Sequence, residues 1–292
     1  MSHPVHPDLL PPGVRAIDIA PGLPGLAFQH PAFSATLSLY GGQLLDFTPT
    51  GGQPLLYLSP QSRFEDGKAI RGGVPLCWPW FGAHPQDAGQ PQHGVARTAP
   101  WTVSAVARSD DGFHVKLAGP RPELHGSTLE ASLTLQLGPG VDIALTSRNL
   151  GNEPASVSAA LHSYLAVSDL RDIHLSGLEG AGYHDKLRAE HATLPAQPWR
   201  FTAATDAIVA AAGPCQLHDP GWQRRIAISS SGSASTVVWT PWQQGAANMA
   251  DLPDDGWQRF LCVEAANAGS DARLLAPGAS HTLRQQLQLL AL

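Results

Sequence analysis

Thr128–Leu137, TLEASLTLQL, alternates without a break. Leu129, Ala131, Leu133, Leu135 and Leu137 fall on one side, and Thr128, Glu130, Ser132, Thr134 and Gln136 on the other. A period of two belongs to a strand with one face in a core and the other in water, whereas a helix needs 3.6. The same alternation recurs on both sides of this segment, in Trp101–Val106, Phe113–Leu117, Val141–Leu145 and Thr282–Leu290. Ala155–Val167 and Arg259–Ala266 are apolar on both faces, as expected of central strands covered on each side. Between these runs, 29 glycines and 26 prolines cut the chain into short pieces. No long amphipathic helix is visible. At most a helical turn or two is expected near Asp66–Ile70 or Ala203–Ala211. The pattern predicts an all-β protein, an antiparallel sandwich or barrel with few short helices. With no linker or repeat, residues 1–292 read as a single domain.

A hydrophobic fraction of 43% supplies a sizeable core, and a net charge of −6 argues against a nucleic-acid or membrane-surface partner. No apolar stretch approaches the roughly 18 residues of a membrane helix. The N-terminus, MSHPVHPDLLPPGVR, lacks the basic region and apolar run of a signal peptide. Its His3 and His6 read as exposed loop. Cys77, Cys215 and Cys262 are isolated and odd in number, which suits free thiols in a reducing compartment. A cytoplasmic protein is expected, and nothing demands more than a monomer. Phosphate-binding loops, dinucleotide fingerprints, the GxSxG elbow and HExxH are all missing.

Chemistry concentrates elsewhere. Ile70–Arg97, IRGGVPLCWPWFGAHPQDAGQPQHGVAR, sets Arg71 and Arg97 among glycines, prolines and aromatics in a chain with only 14% charged residues. A guanidinium fork suits a phosphate or carboxylate, and glycine lets backbone approach a ligand. The segment reads as the anion-binding wall of a small-molecule pocket. Glu264 and His162 each interrupt an apolar strand, where burying a polar group is costly without a partner. Alone, Glu264 reads first as a structural carboxylate paired with an arginine at a strand end, and His162 as a satisfied core residue. Asp206 could cap a turn. Trp78, Trp80, Phe81, Trp239 and Trp242 fill a core by default, or offer a flat face to a sugar ring.

In chain order, these residues form a longer pattern: Arg71-Gly72-Gly73, Pro75, Cys77, Pro79-Trp80-Phe81-Gly82, Gln92-His93-Gly94, Ala96-Arg97, Leu161-His162 with Tyr164, Thr205-Asp206, Pro253-Asp254-Asp255-Gly256 and Cys262-Val263-Glu264. The pattern resembles the aldose 1-epimerase superfamily, and within it the glucose-6-phosphate 1-epimerase (hexose-6-phosphate mutarotase) branch. The first 60 residues and Leu175–Phe201 show little of it. The resemblance implies a galactose mutarotase-like β-supersandwich and a cofactor-free interconversion of α and β anomers of a hexose 6-phosphate through the open-chain aldehyde. It implies Glu264 as base and His162 as acid. It further implies Arg71 and Arg97 on the phosphate, Gln92 on sugar or phosphate, Asp206 on the hydroxyls, and His93 nearby, with no metal. A sugar-phosphate sensor, a mutarotase for free aldoses, and a glycoside hydrolase using Asp206 and Glu264 are the competing readings.

Overall fold

The strands expected from period two form two large antiparallel sheets packed face to face. The computed structural model describes residues 10–124 and 126–292, so His3 and His6 lie outside it. The larger sheet has nine strands. Its order runs His174–Ser176, Cys215–Asp219, Arg224–Ser231, Ser280–Ala291, Gly140–Asn149, Ser127–Leu137, Gly112–Ala118 and Thr102–Ser109, with Glu123–Leu124 added beside Ser127–Leu137. Its register aligns Leu117, Leu133, Leu145 and Leu283 in one buried row across four strands. Burying each leucine contributes about 1.5–3 kcal/mol, and together they fix which face of the sheet turns inward.

The second sheet carries the chemistry. Its order is Glu190–Thr193, Gly182–Asp185, Thr205–Val209, Ser235–Thr240, Phe260–Asn267, Ala159–Leu161 and Leu76–Cys77, and Tyr164–Ala166 also pairs with Phe260–Asn267. One buried cluster joins Leu133, Leu135, Leu145, Leu283 and Leu287 of the first sheet to Leu161, Leu165, Val238, Leu261 and Val263 of the second. The N-terminal strands Val14–Ala20, Leu23–His30, Phe33–Ser38 and Gln43–Pro49 form a four-stranded meander. Ala155–Val157 and Arg273–Leu275 form a separate two-stranded ribbon.

Several expectations are corrected. Ala203–Ala211 holds no helical turn: Thr205–Val209 is a strand paired on both sides, which overrides the helix propensity of its alanines. Asp66 and Gly67 form a simple turn. The one α-helix among the described residues, Trp242–Ala247, lies where no helix was expected and is only six residues long. Ala155–Val167 is three short strands rather than one, although almost all of it is buried as expected. Near Trp101 the strand begins at Thr102, is largely exposed and shifts register between Val103 and Ala105, as an edge strand does.

Candidate active site

Strand register assembles the site on the face of the second sheet that turns away from the sandwich core. Along Phe260–Asn267, Leu261, Val263 and Ala265 alternate with Cys262, Glu264 and Ala266. All eight residues of this strand are buried, so the apolar pattern extends to both faces. Pairing lines up Asp206 with Trp239, Trp239 with Cys262, and Cys262 with Tyr164. One row further on, Ile208, Val237 and Glu264 align. His162 lies between the pairs Leu161–Ala265 and Tyr164–Cys262, which sets it opposite Glu264. The backbone breaks here: Ser163 turns to the core, where its hydroxyl donates to Gln285 Oε1 at 2.5 Å, and Gln285 Nε2 donates to the Val263 carbonyl at 2.9 Å. A buried glutamine from the opposite sheet thus braces both site strands.

His162 Nδ1 approaches Glu264 Oε1 to 3.3 Å. The approach is off-line for a hydrogen bond, and neither Glu264 oxygen has a hydrogen-bond partner among the described residues. Among the described residues no arginine pairs with Glu264, so the partner that a structural carboxylate was expected to have is missing. Burial raises Glu264 well above the usual carboxylate range, Asp206 adds to the rise, and Lys186 opposes it. Burial also depresses His162, helped by His93, Arg71 and Arg97. Two neighbours displaced in opposite directions favour the neutral pair, and they are well suited to exchanging one proton.

Around them stands an aromatic and cationic wall. The Tyr164 ring stacks on His162 at 4.9 Å, and Trp239 meets His162 edge-on at 5.8 Å. His93 lies 6.1 Å from His162 between ring centres. Its Nδ1 accepts the Gly82 N–H at 3.2 Å, which leaves the proton on Nε2. Burial, followed by Arg97 and Lys186, pushes His93 down to about 3, so it is a neutral donor at every physiological pH. Gly94 makes this placement possible. At φ +74° it passes so close to the neighbouring chain that an added Cβ would stand 2.0 Å from the Trp78 carbonyl oxygen. Gly94→Ala is therefore expected to cost at least about 2 kcal/mol, lowering Tm by roughly 4–8 °C. A thermal scan within 2 °C of wild type would remove the strain argument.

The Arg71–Arg97 segment differs in part from expectation. Arg71 Nε and Nη2 both donate to Asp251 Oδ2, at 3.2 and 3.1 Å, and Nη1 donates to the Tyr164 hydroxyl at 2.9 Å. Burial opposes its charge, but Tyr164 and Asp251 outweigh burial and lift its pKa. This fork is occupied within the protein. Its loop is held by buried Gln43, whose Nε2 donates to the Gly72 and Ile70 carbonyls at 2.7 and 3.3 Å. Arg97 differs: Nη2 donates to the Gln92 carbonyl at 2.8 Å, and it forms no ion pair among the described residues. Gln92 is exposed and serves Arg97 through its backbone. Asp206 accepts from Lys186 Nζ at 3.0 Å.

A model of the aldose 1-epimerase family matches residues 25–288. The chain belongs to the aldose 1-epimerase family. It is 33% identical over 234 residues to a Salmonella typhimurium protein named "Putative glucose-6-phosphate 1-epimerase", covering 77% of each chain. A Cenchrus ciliaris protein of the same name is 33% identical over 240 residues, covering 74% of this chain and 70% of its own. Among solved structures, a "putative mutarotase" from Salmonella typhimurium superposes with a TM-score of 0.86 at 27% identity, covering 96% of this chain and 97% of that one. This aldose epimerase is an isomerase that acts on a sugar, and its fold is the mutarotase-like β-sandwich that the resemblance implied.

Within the epimerase, the structure brings His162, Glu264, His93 and Asp206 to one face, with Arg71 linked to them through Tyr164. Of the tryptophans, Trp239 faces the site, whereas Trp78 and Trp80 are buried, with their indole N–H groups on Ser147 Oγ and the Pro91 carbonyl. Trp242 packs at a tilt against Trp257. Lys186, Asp251, Gln43 and Gln285 escaped sequence reasoning. Only Asp251 had a local signal, because it lies two residues before Pro253-Asp254-Asp255-Gly256 of the family pattern.

Proposed function

We propose that the epimerase interconverts the α and β anomers of a hexose 6-phosphate, glucose 6-phosphate being the expected substrate, with Glu264 as base and His162 as acid. The observation that carries this reading is the 3.3 Å approach of a buried, otherwise unpartnered carboxylate to a buried imidazole. Glu264 takes the proton of the anomeric hydroxyl as C1=O1 forms. The C1–O5 electron pair passes to O5, which takes the proton held by His162. After rotation about C1–C2, the same steps run in reverse on the other aldehyde face. The neutral pair and the Glu264 carboxylate–His162 imidazolium pair contain the same number of protons. Proton exchange between these neighbours therefore yields the reactive form without uptake from solvent. Activity falls at low pH, when the pair gains a second proton, and at high pH, when it loses its only one.

Asp206 and the Nε2 proton of His93 are assigned to sugar hydroxyls and Trp239 to the ring face. Arg97, with Gln92 beside it, is the principal phosphate ligand, and Arg71 borders the same space. The names carried by the 33%-identical relatives favour the phosphorylated sugar. Three free cysteines fit a cytoplasmic setting. The occupied fork of Arg71 favours a second reading, a mutarotase for free aldoses. Anomerisation of freshly dissolved α-glucose 6-phosphate, followed by polarimetry or NMR exchange beside free glucose and galactose, separates the two. Acceleration of the phosphate ester alone supports the first, and equal acceleration of free sugars supports the second. Saturable binding without acceleration of any sugar would leave a sensor.

A further inference from the structure

Lys186 directly follows the strand Gly182–Asp185, and its backbone N–H donates to the Asp206 carbonyl at 2.8 Å. Its Nζ donates to Asp206 Oδ2 at 3.0 Å. The same ammonium lies 5.5 Å from the centre of the Phe81 ring, and Phe81 packs edge-on against His93. One cation thus ties the outer wing of the second sheet to the wall that carries His93 and Arg97. Its side chain is 33% exposed and that of Asp206 only 20%, so water screens the pair incompletely.

Two carboxylates share this face, and Asp206 opposes ionisation of Glu264. Asp206 lies two strands and one row from Glu264 in the register. The other groups facing Glu264 are His162 and Tyr164 from the adjoining strands, Cys262 on its own strand, and Cys77 from the strand beyond, with His93, Arg71 and Arg97 behind His162. Burial raises the thiols and the phenol, so they stay protonated. Arg71 is already engaged by Asp251. Lys186 is the cation in contact with Asp206 itself.

We propose that Lys186 is a positioning residue of the epimerase site: it aims the Asp206 carboxylate at the sugar hydroxyls and cancels its charge, so that the carboxylate formed on Glu264 has no uncompensated like-charged neighbour. The proposal rests on the reading of Glu264 as base. Its test therefore includes a measurement that needs no activity. The protonated-carboxyl C=O band of Glu264, identified as the infrared difference band absent from Glu264→Gln, is titrated in wild type, Lys186→Met, Lys186→Arg and the double variant Lys186→Met with Asp206→Asn. The alkaline limb of kcat/KM for hexose 6-phosphate is recorded in parallel, beside free hexose.

In Lys186→Met the band persists to higher pH, the alkaline limb moves the same way, and KM rises roughly tenfold as Asp206 loses its aim. Lys186→Arg stays near wild type. Removing the Asp206 charge in the Lys186→Met background returns the band and the limb toward wild type but does not restore KM. A band and limb that stay in place in Lys186→Met overturn the proposal, as does a loss confined to thermal stability. A loss for the phosphorylated sugar alone also overturns it, because Lys186 would then be a phosphate ligand. If no hexose is accelerated by wild type, the function is wrong, and the band alone still decides the charge argument.

Discussion

Glu264→Gln loses about 10³-fold in turnover while retaining hexose 6-phosphate binding, and it unfolds at a higher temperature than wild type at pH 8. The first effect follows from the proposed chemistry. Glutamine keeps the shape of the side chain but cannot accept the proton of the anomeric hydroxyl, and general base catalysis supplies about 10²–10⁴-fold. The second follows from the 1% exposure of Glu264 and its lack of hydrogen-bond partners. Burial raises its folded pKa well above the ordinary glutamate value, with Asp206 contributing. A group with a raised folded pKa contributes its full stability below the unfolded value and loses it as pH rises through the folded one. Wild type therefore loses stability relative to Glu264→Gln as pH rises above about 4.5, and the two converge below about pH 4. Thermal scans across this range, with binding followed by calorimetry, check both effects. Unchanged turnover removes the base assignment. A variant less stable at pH 8 than at pH 4, relative to wild type, shows that the carboxylate is better satisfied than its surroundings indicate.

The same two residues show what a sequence can disclose. Half-buried strands write their orientation into every second residue, so Ser127–Leu137 and Gly140–Asn149 were legible, and so was the class of fold. Glu264 and His162 were legible as well, because a titratable group within an apolar strand demands a reason. Their mutual contact was not legible. It depends on the register of Phe260–Asn267 against two short strands and on a backbone break braced by Gln285. Lys186 and Asp251 were hidden for a related reason. Each is an ordinary polar residue in a turn, given meaning by a partner 20 residues away in one case and 180 in the other. Trp242–Ala247 is too short to display a helical period. In Ala203–Ala211 local propensity pointed to a helix, but two neighbouring strands overruled it.

Arg97→Ala is expected to lower kcat/KM for hexose 6-phosphate by about 10–100-fold and to change that for the free hexose less than about threefold. A charge-assisted hydrogen bond contributes about 1.5–3 kcal/mol, and a phosphate bearing about −1.5 to −2 charge is the substrate group that uses it fully. Arg97 suits this role because it has no carboxylate partner among the described residues and is held to the site wall only through the Gln92 carbonyl. Arg71→Ala behaves differently. It strands Asp251, frees the Tyr164 hydroxyl and disturbs the ring stacked on His162, so it damages both substrates alike. The contrast separates phosphate recognition from general damage. A second readout comes from the acid. After burial and the neighbours His93 and Arg71, Arg97 also depresses His162, so its removal raises the His162 pKa and moves the acid limb of activity upward. Added salt weakens the wild-type preference for the phosphorylated sugar more than that of the variant, because screening acts on a charge the variant lacks. Steady-state anomerisation of both sugars across pH and at two ionic strengths supplies every one of these numbers. Equal losses on phosphorylated and free hexose would mean that Arg97 does not recognise phosphate, and the site would then be that of a free-aldose mutarotase.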